Sequence, residues 1–126
     1  MTLTIRLLIP PSVARAELIV KQDAPKVTGS KSVVRLTLKN TFREKVESAR
    51  GTVFLMDDQG KVVGQNTAWV IGGKKDKPAL APEASTTFNF VITTDKPFTK
   101  SKLTFGRLIL EGGKVVDPVK NVVVQE

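Results

Sequence analysis

The sequence predicts an all-β protein, an antiparallel β-sandwich of about seven or eight short strands. Three observations carry this expectation. Apolar and polar residues alternate at period two in the stretches around Val34-Leu36-Leu38 and Phe88-Phe90-Ile92. Turn-forming residues recur at intervals of about 8–12 residues. No stretch reads as a long helix.

In chain order, Glu17 to Lys21 forms a short first strand of the body, and Asp23 to Ser30, with Pro25 and Gly29, forms a loop. Ser32 to Phe42 is a half-buried strand, with Val34, Leu36 and Leu38 on one face and Arg35, Thr37 and Lys39 on the other. The charged segment Arg43 to Ser48 is too short for a stable helix and is expected to cross between sheets. Arg50 to Met56 and Lys61 to Ile71 are the arms of a hairpin, and Asp57-Asp58-Gln59-Gly60 makes its turn. Both arms mix their faces, so the pattern leaves their inward residues open. Trp69, the single tryptophan, is expected in the core; the alternative is an exposed platform for a sugar or a base.

Gly72 to Pro82 is a basic loop. Ser85 to Thr93 follows as a strand with Phe88, Phe90 and Ile92 inward, and Asp95-Lys96-Pro97 is a turn. In Leu103 to Leu110 the apolar phase shifts at Gly106, which predicts a bulge there. Glu111-Gly112-Gly113-Lys114 makes a second tight turn. Val115-Val116 and Val119 to Val124 are expected to finish the sheet, interrupted at Pro118 by an edge or a bulge.

The 126 residues suit one domain, placed at 17–126. Residues 1–16 have two readings. Ala14-Arg15-Ala16 has the small-x-small form of a signal-peptidase site behind the apolar Leu7-Leu8-Ile9, which makes the segment a signal-peptide remnant. Alternatively, Leu3, Ile5, Leu7 and Ile9 alternate with Thr2, Thr4, Arg6 and Leu8 as an N-terminal strand arm hinged at Pro10-Pro11. No run reaches the ~20 apolar residues of a membrane-spanning helix.

Composition narrows the chemistry. Cysteine and histidine are both absent. Disulfides, thiolate nucleophiles, imidazole bases and the common zinc sites are therefore excluded. The acids Glu17, Asp23, Asp57, Asp58, Asp76, Asp95 and Asp117 show no spacing of a glycosidase pair or a calcium loop. A non-enzyme with no cofactor and no metal is expected. Twenty basic residues against twelve acidic ones give a formal charge of +8. The densest clusters are Arg43/Lys45, Lys74/Lys75/Lys77 and Lys96/Lys100/Lys102. They fall in expected loops and lack the interleaved aromatics of a single-strand-binding platform, so nucleic acid is not the expected partner.

The motif order adds a resemblance. A strand ends at an Asn-containing tip (Leu36 to Thr41), and a hairpin of the form apolar-Asp-x-x-Gly-Lys-Val-Val follows (Met56 to Val63). Next come a Leu-Ala-Pro-Glu loop (Leu80 to Glu83) and an aromatic strand (Thr87 to Phe90). This resembles the FxLYD-type domains and related immunoglobulin-like modules of bacterial secreted and envelope proteins. The likeness covers roughly Ser32 to Thr93 and is one of turn and strand grammar. Met56 stands where that family usually has an aromatic, and Glu83 where its loop usually carries glycine. The resemblance implies an immunoglobulin-like sandwich and no catalytic residues.

The expected function is that of a non-catalytic extracytoplasmic module, secreted or periplasmic, which presents a loop or sheet edge to a protein or cell-envelope polymer. The expected contact residues are Lys74, Lys75 and Lys77 in one loop and Lys96, Lys100 and Lys102 in what is taken as its neighbour. The alternatives are an assembly subunit that adds its N-terminal arm to the next copy, and a basic polyanion-binding module.

Overall fold

The computed structural model describes residues 17–74 and 77–125. Both readings of residues 1–16 lie outside these. The described chain is a two-sheet β-sandwich of nine strands: β1 (Leu18–Gln22), β2 (Lys26–Thr28), β3 (Lys31–Asn40), β4 (Val46–Met56), β5 (Val62–Ile71), β6 (Ser85–Thr93), β7 (Lys100–Leu110), β8 (Lys114–Val115) and β9 (Val122–Gln125).

The first sheet is built on β3. One side of β3 pairs with β6 from Lys31↔Thr93 to Lys39↔Ser85. Its other side pairs in succession with β2 and β1, and β9 lies beyond β1. Period two holds in β1, β3 and β6. Ser32, Val34, Leu36, Leu38 and Asn40 face inward from β3, opposite Phe90 and Ile92 of β6. Phe88 meets Phe90 edge-on at 5.1 Å and lies partly buried at the margin of the core. The segment expected to be a plain loop at Asp23 to Ser30 contains β2, whose three residues are all exposed.

The second sheet runs β5-β4-β7-β8. Its hairpin turn forms as the sequence predicts. Gly60 takes φ +80°, and the Asp57 carboxylate accepts from the Gln59 and Lys61 amides, both at 2.9 Å. The bulge at Gly106 is also present: Arg50 pairs with Arg107 and Gly51 with Phe105, leaving Gly106 unopposed. Further register shifts fall at Glu47, Val63 and Val70. Each extra residue reverses the inward phase. Ser48 and Ala49 are thus both buried, as are Val70 and Ile71.

Two expectations are corrected. Trp69 is not in the core. The bulge that sends Val70 and Ile71 inward turns Trp69 to the outer face, half-buried, with the Arg50 guanidinium 5.8 Å from its ring centre. Nor does Val119 continue a strand. Pro118–Asn121 is a helical turn capped by Asp117, whose carboxylate accepts from the Val119 amide at 2.9 Å. This turn carries the chain from one sheet to the other. β9 then pairs parallel with β1, from Leu18↔Val122 to Lys21↔Gln125. Pro118 suits the first turn of a helix because its missing N–H would have had no partner there.

Glu83 takes φ +65°, the only non-glycine residue in the left-handed region among the described residues. A side chain there is strained, whereas glycine is not. Glu83→Gly is expected to raise stability by about 0.5 kcal/mol, because relieved strain slightly exceeds the added chain entropy. The exposed Lys39–Glu83 pair, at 3.9 Å, contributes little against this. A higher urea midpoint at unchanged slope checks it.

Candidate binding cleft

A cleft of about 670 Å3 opens at the end of the sandwich where β1, β4 and β7 converge. Its lining includes Gln22, Pro25, Met56, Phe98, Lys100 and Lys102. On the far side of Phe98, a second depression of about 440 Å3 is bordered by Val27, Ser32 and Lys96.

Gln22 sets the character of the cleft. It is the last residue of β1 and points inward in phase with Leu18 and Val20, so it is buried with 6% exposure. Its Nε2 donates to Ser101 Oγ across the sheets at 2.7 Å. Its Oε1 is the one buried side-chain polar atom without a partner among the described residues. An unpaired buried acceptor costs about 1–3 kcal/mol.

Asn40 shows what a satisfied amide looks like in this fold. It too extends an inward strand phase, but its Nδ2 donates to the Glu44 and Leu80 carbonyls, both at 2.9 Å. Its Oδ1 accepts from the Phe42 amide at 2.8 Å. That amide is structural. Gln22 is held on one side only, beside an open cleft.

Around this amide lie exposed cations and apolar surface. Lys100 and Lys102 are exposed at the start of β7, and Met56 and Phe98 supply the apolar contribution. The cleft suits a ligand with an apolar group and a negative charge.

The six lysines expected as contacts do not form one patch. Lys96, Lys100 and Lys102 gather around Phe98. The loop that carries Lys74 and Lys77 is not their neighbour, because Ile71 pairs with Ala49 while Lys100 pairs with Met56. Seven residue steps along β4 separate these positions, roughly 23 Å at the rise of a strand. Lys77 also has internal work: its Nζ donates to the Trp69 carbonyl at 2.7 Å and lies 4.2 Å from the centre of the Phe88 ring. Lys75 lies outside the described residues. Gln22 escaped the sequence reading, although an amide in phase with Leu18 and Val20 was a signal available there.

Sheets, bulges and cleft together define a two-sheet β-sandwich with an end-on cleft. No family model and no curated protein matches the sequence. Solved structures do match the fold. A Bordetella pertussis protein designated ApaA superposes with a TM-score of 0.54 at 14% identity, over 81% of this chain and 88% of that one. IrmA from Escherichia coli gives 0.51 at 12%, over 89% and 93%. The structural-genomics target SoR45 gives 0.51 at 16%, over 81% and 77%. At these identities the likeness is one of fold alone.

Proposed function

We propose that this chain is a non-catalytic binding module that works outside the cytoplasm and meets a protein or cell-envelope partner through its cleft-bearing end. The observation that carries the reading is the half-satisfied Gln22 amide beside Lys100 and Lys102. A group kept at a cost to stability next to an open cleft has the signature of a site shaped for binding. A sequence without histidine or cysteine supports a role in recognition. The small-x-small Ala14-Arg15-Ala16 supports export.

Gln22→Met tests the binding role. It keeps the side-chain length and removes both the unpaired acceptor and the donor to Ser101 Oγ, so the two effects offset and stability is expected to change by less than about 1 kcal/mol. Binding is expected to fall. The readout is amide shifts at Asp23, Phe98 and Ser101 during titration with N-acetylated, carboxylate-bearing dipeptides. A Gln22→Met protein destabilised by about 2 kcal/mol or more would make the amide structural and defeat the reading. Export is tested by expressing the gene with its upstream codons. Protein found only in the cytosol and uncut after Ala16 would remove that part.

A further inference from the structure

Among the described residues, the second sheet lacks a ribbon. β1 faces β7 across the core, as the Gln22–Ser101 hydrogen bond shows, so β9 beside β1 stands opposite the position beyond β7. β8 should fill that position, but it has two residues and pairs only with Ile109 and Leu110. The Val116 amide reaches the Leu108 carbonyl at 3.1 Å. From Lys100 to Arg107, no strand among the described residues pairs with that side of β7.

The opposite edges of the sandwich are closed. Asn66 Nδ2 donates to the Val91 carbonyl at 2.9 Å, and Thr94 Oγ1 to the Val63 carbonyl at 2.8 Å, joining β5 to β6. A long open edge is a template for an added strand unless something blocks it. Here Lys100, Lys102 and the bulge at Gly106 deter a basic strand but leave an acidic one free to add, and the helical turn Pro118–Asn121 packs against β7 without pairing with it. The edge has no proline, and it borders an apolar groove of about 190 Å3 between Phe105 on β7 and Pro118, Val122 and Val124. Val119 at its rim is 85% exposed.

We propose that the free edge of β7, from Lys100 to Arg107, receives an extended segment of another protein as an additional strand. Alternate side chains of that segment are apolar and enter the groove at Phe105, Val122 and Val124. The others are acidic and face Lys100, Lys102 and Arg107. Charge selects the acidic class. The four strands of this sheet carry Arg50, Lys100, Lys102 and Arg107, besides Lys114, which pairs with Glu44 at 3.3 Å, against one carboxylate, Glu47, which already accepts from the Gly112 amide at 3.0 Å. Backbone hydrogen bonds supply affinity in this mode, and the alternating side chains supply specificity. The proposal rests on the binding-module reading but does not depend on the Gln22 cleft.

The test is hydrogen exchange and amide shifts of the full chain with three blocked eight-residue peptides. One alternates valine with glutamate, one valine with lysine, and the third is the glutamate peptide with every backbone nitrogen methylated. The glutamate peptide is expected to slow exchange at alternate amides between Lys100 and Arg107, and the other two are not. The K100E/K102E variant, changed only at exposed positions, is expected to weaken that peptide by about tenfold and to gain affinity for the lysine peptide.

Equal binding of the methylated peptide would overturn the proposal, since backbone pairing is then not involved. Slow exchange at those same edge-facing amides without peptide would also overturn it. The edge would then belong to residues 1–16 of the same chain or, where the protection depends on concentration, to a second copy. Shifts confined to Gln22, Asp23 and Phe98 would refute strand addition and leave the module reading standing. No response to any peptide would refute strand addition, and an unresponsive cleft in the dipeptide titration would separately refute the module reading.

Discussion

Phe90→Asp is expected to abolish the fold. Phe90 is the largest fully buried side chain, at 1% exposure, and it lies opposite Val34 in the middle of the longest pairing of the first sheet. Loss of a buried aromatic ring alone costs about 3–5 kcal/mol. A carboxylate in that position adds several kcal/mol more, because no cation is buried among the described residues to pair with it. The sum approaches the entire stability of a small domain, about 5–15 kcal/mol. The expected result is loss of the cooperative thermal transition and of methyl dispersion in proton NMR. Phe90→Leu keeps an apolar group and is expected to remain folded with a loss of about 1–2 kcal/mol. A Phe90→Asp protein that melted like the parent would mean that this ring is not at the centre of the core.

The second large effect belongs to Asn40. Its side chain ties the end of β3 to the crossover at Phe42 and Glu44 and to the Leu80 loop. Its backbone continues the work: the Asn40 amide donates to the Ala84 carbonyl at 3.0 Å, and the Glu83 amide donates to the Asn40 carbonyl at 2.8 Å. Asn40→Ala removes three side-chain hydrogen bonds at a fully buried position and is expected to cost about 3 kcal/mol. Asn40→Asp is expected to cost more than alanine, although it is nearly isosteric. It keeps the acceptor for the Phe42 amide but places a charged oxygen against two carbonyls that need donors. Urea unfolding of the two variants measures the order directly. If aspartate proved milder than alanine, shape rather than hydrogen bonding would explain the residue.

Much of this architecture was legible in the residues. β6 falls at Ser85–Thr93, where its alternation predicted it, because that strand pairs on one side of an unbroken β3 and no residue is inserted. The turn at Gly60 and the bulge at Gly106 were readable because local backbone geometry depends on the residues that adopt it. Lys96, Lys100 and Lys102 were readable as neighbours because they are close in sequence. Their distance from Lys74 was not, because it depends on how β4 separates the two ends of the sheet.

The sequence by itself thus determined the class of the fold, strands β3 and β6 with the inward residues Val34, Leu36, Leu38, Phe90 and Ile92, the turns, and the absence of imidazole and thiol groups. Alternation, turn propensity and composition are local properties, and they survive wherever neighbouring strands stay in register. Only the tertiary structure decided that Trp69 faces outward, that Val119 sits in a helical turn, that Gln22 reaches Ser101 in the other sheet, and that no described strand pairs with the outer side of β7 from Lys100 to Arg107. Each depends on which strand lies opposite which, and on bulges that reverse a strand's phase by one residue. Pairing partners remote in the chain leave no periodic trace in the sequence of either one.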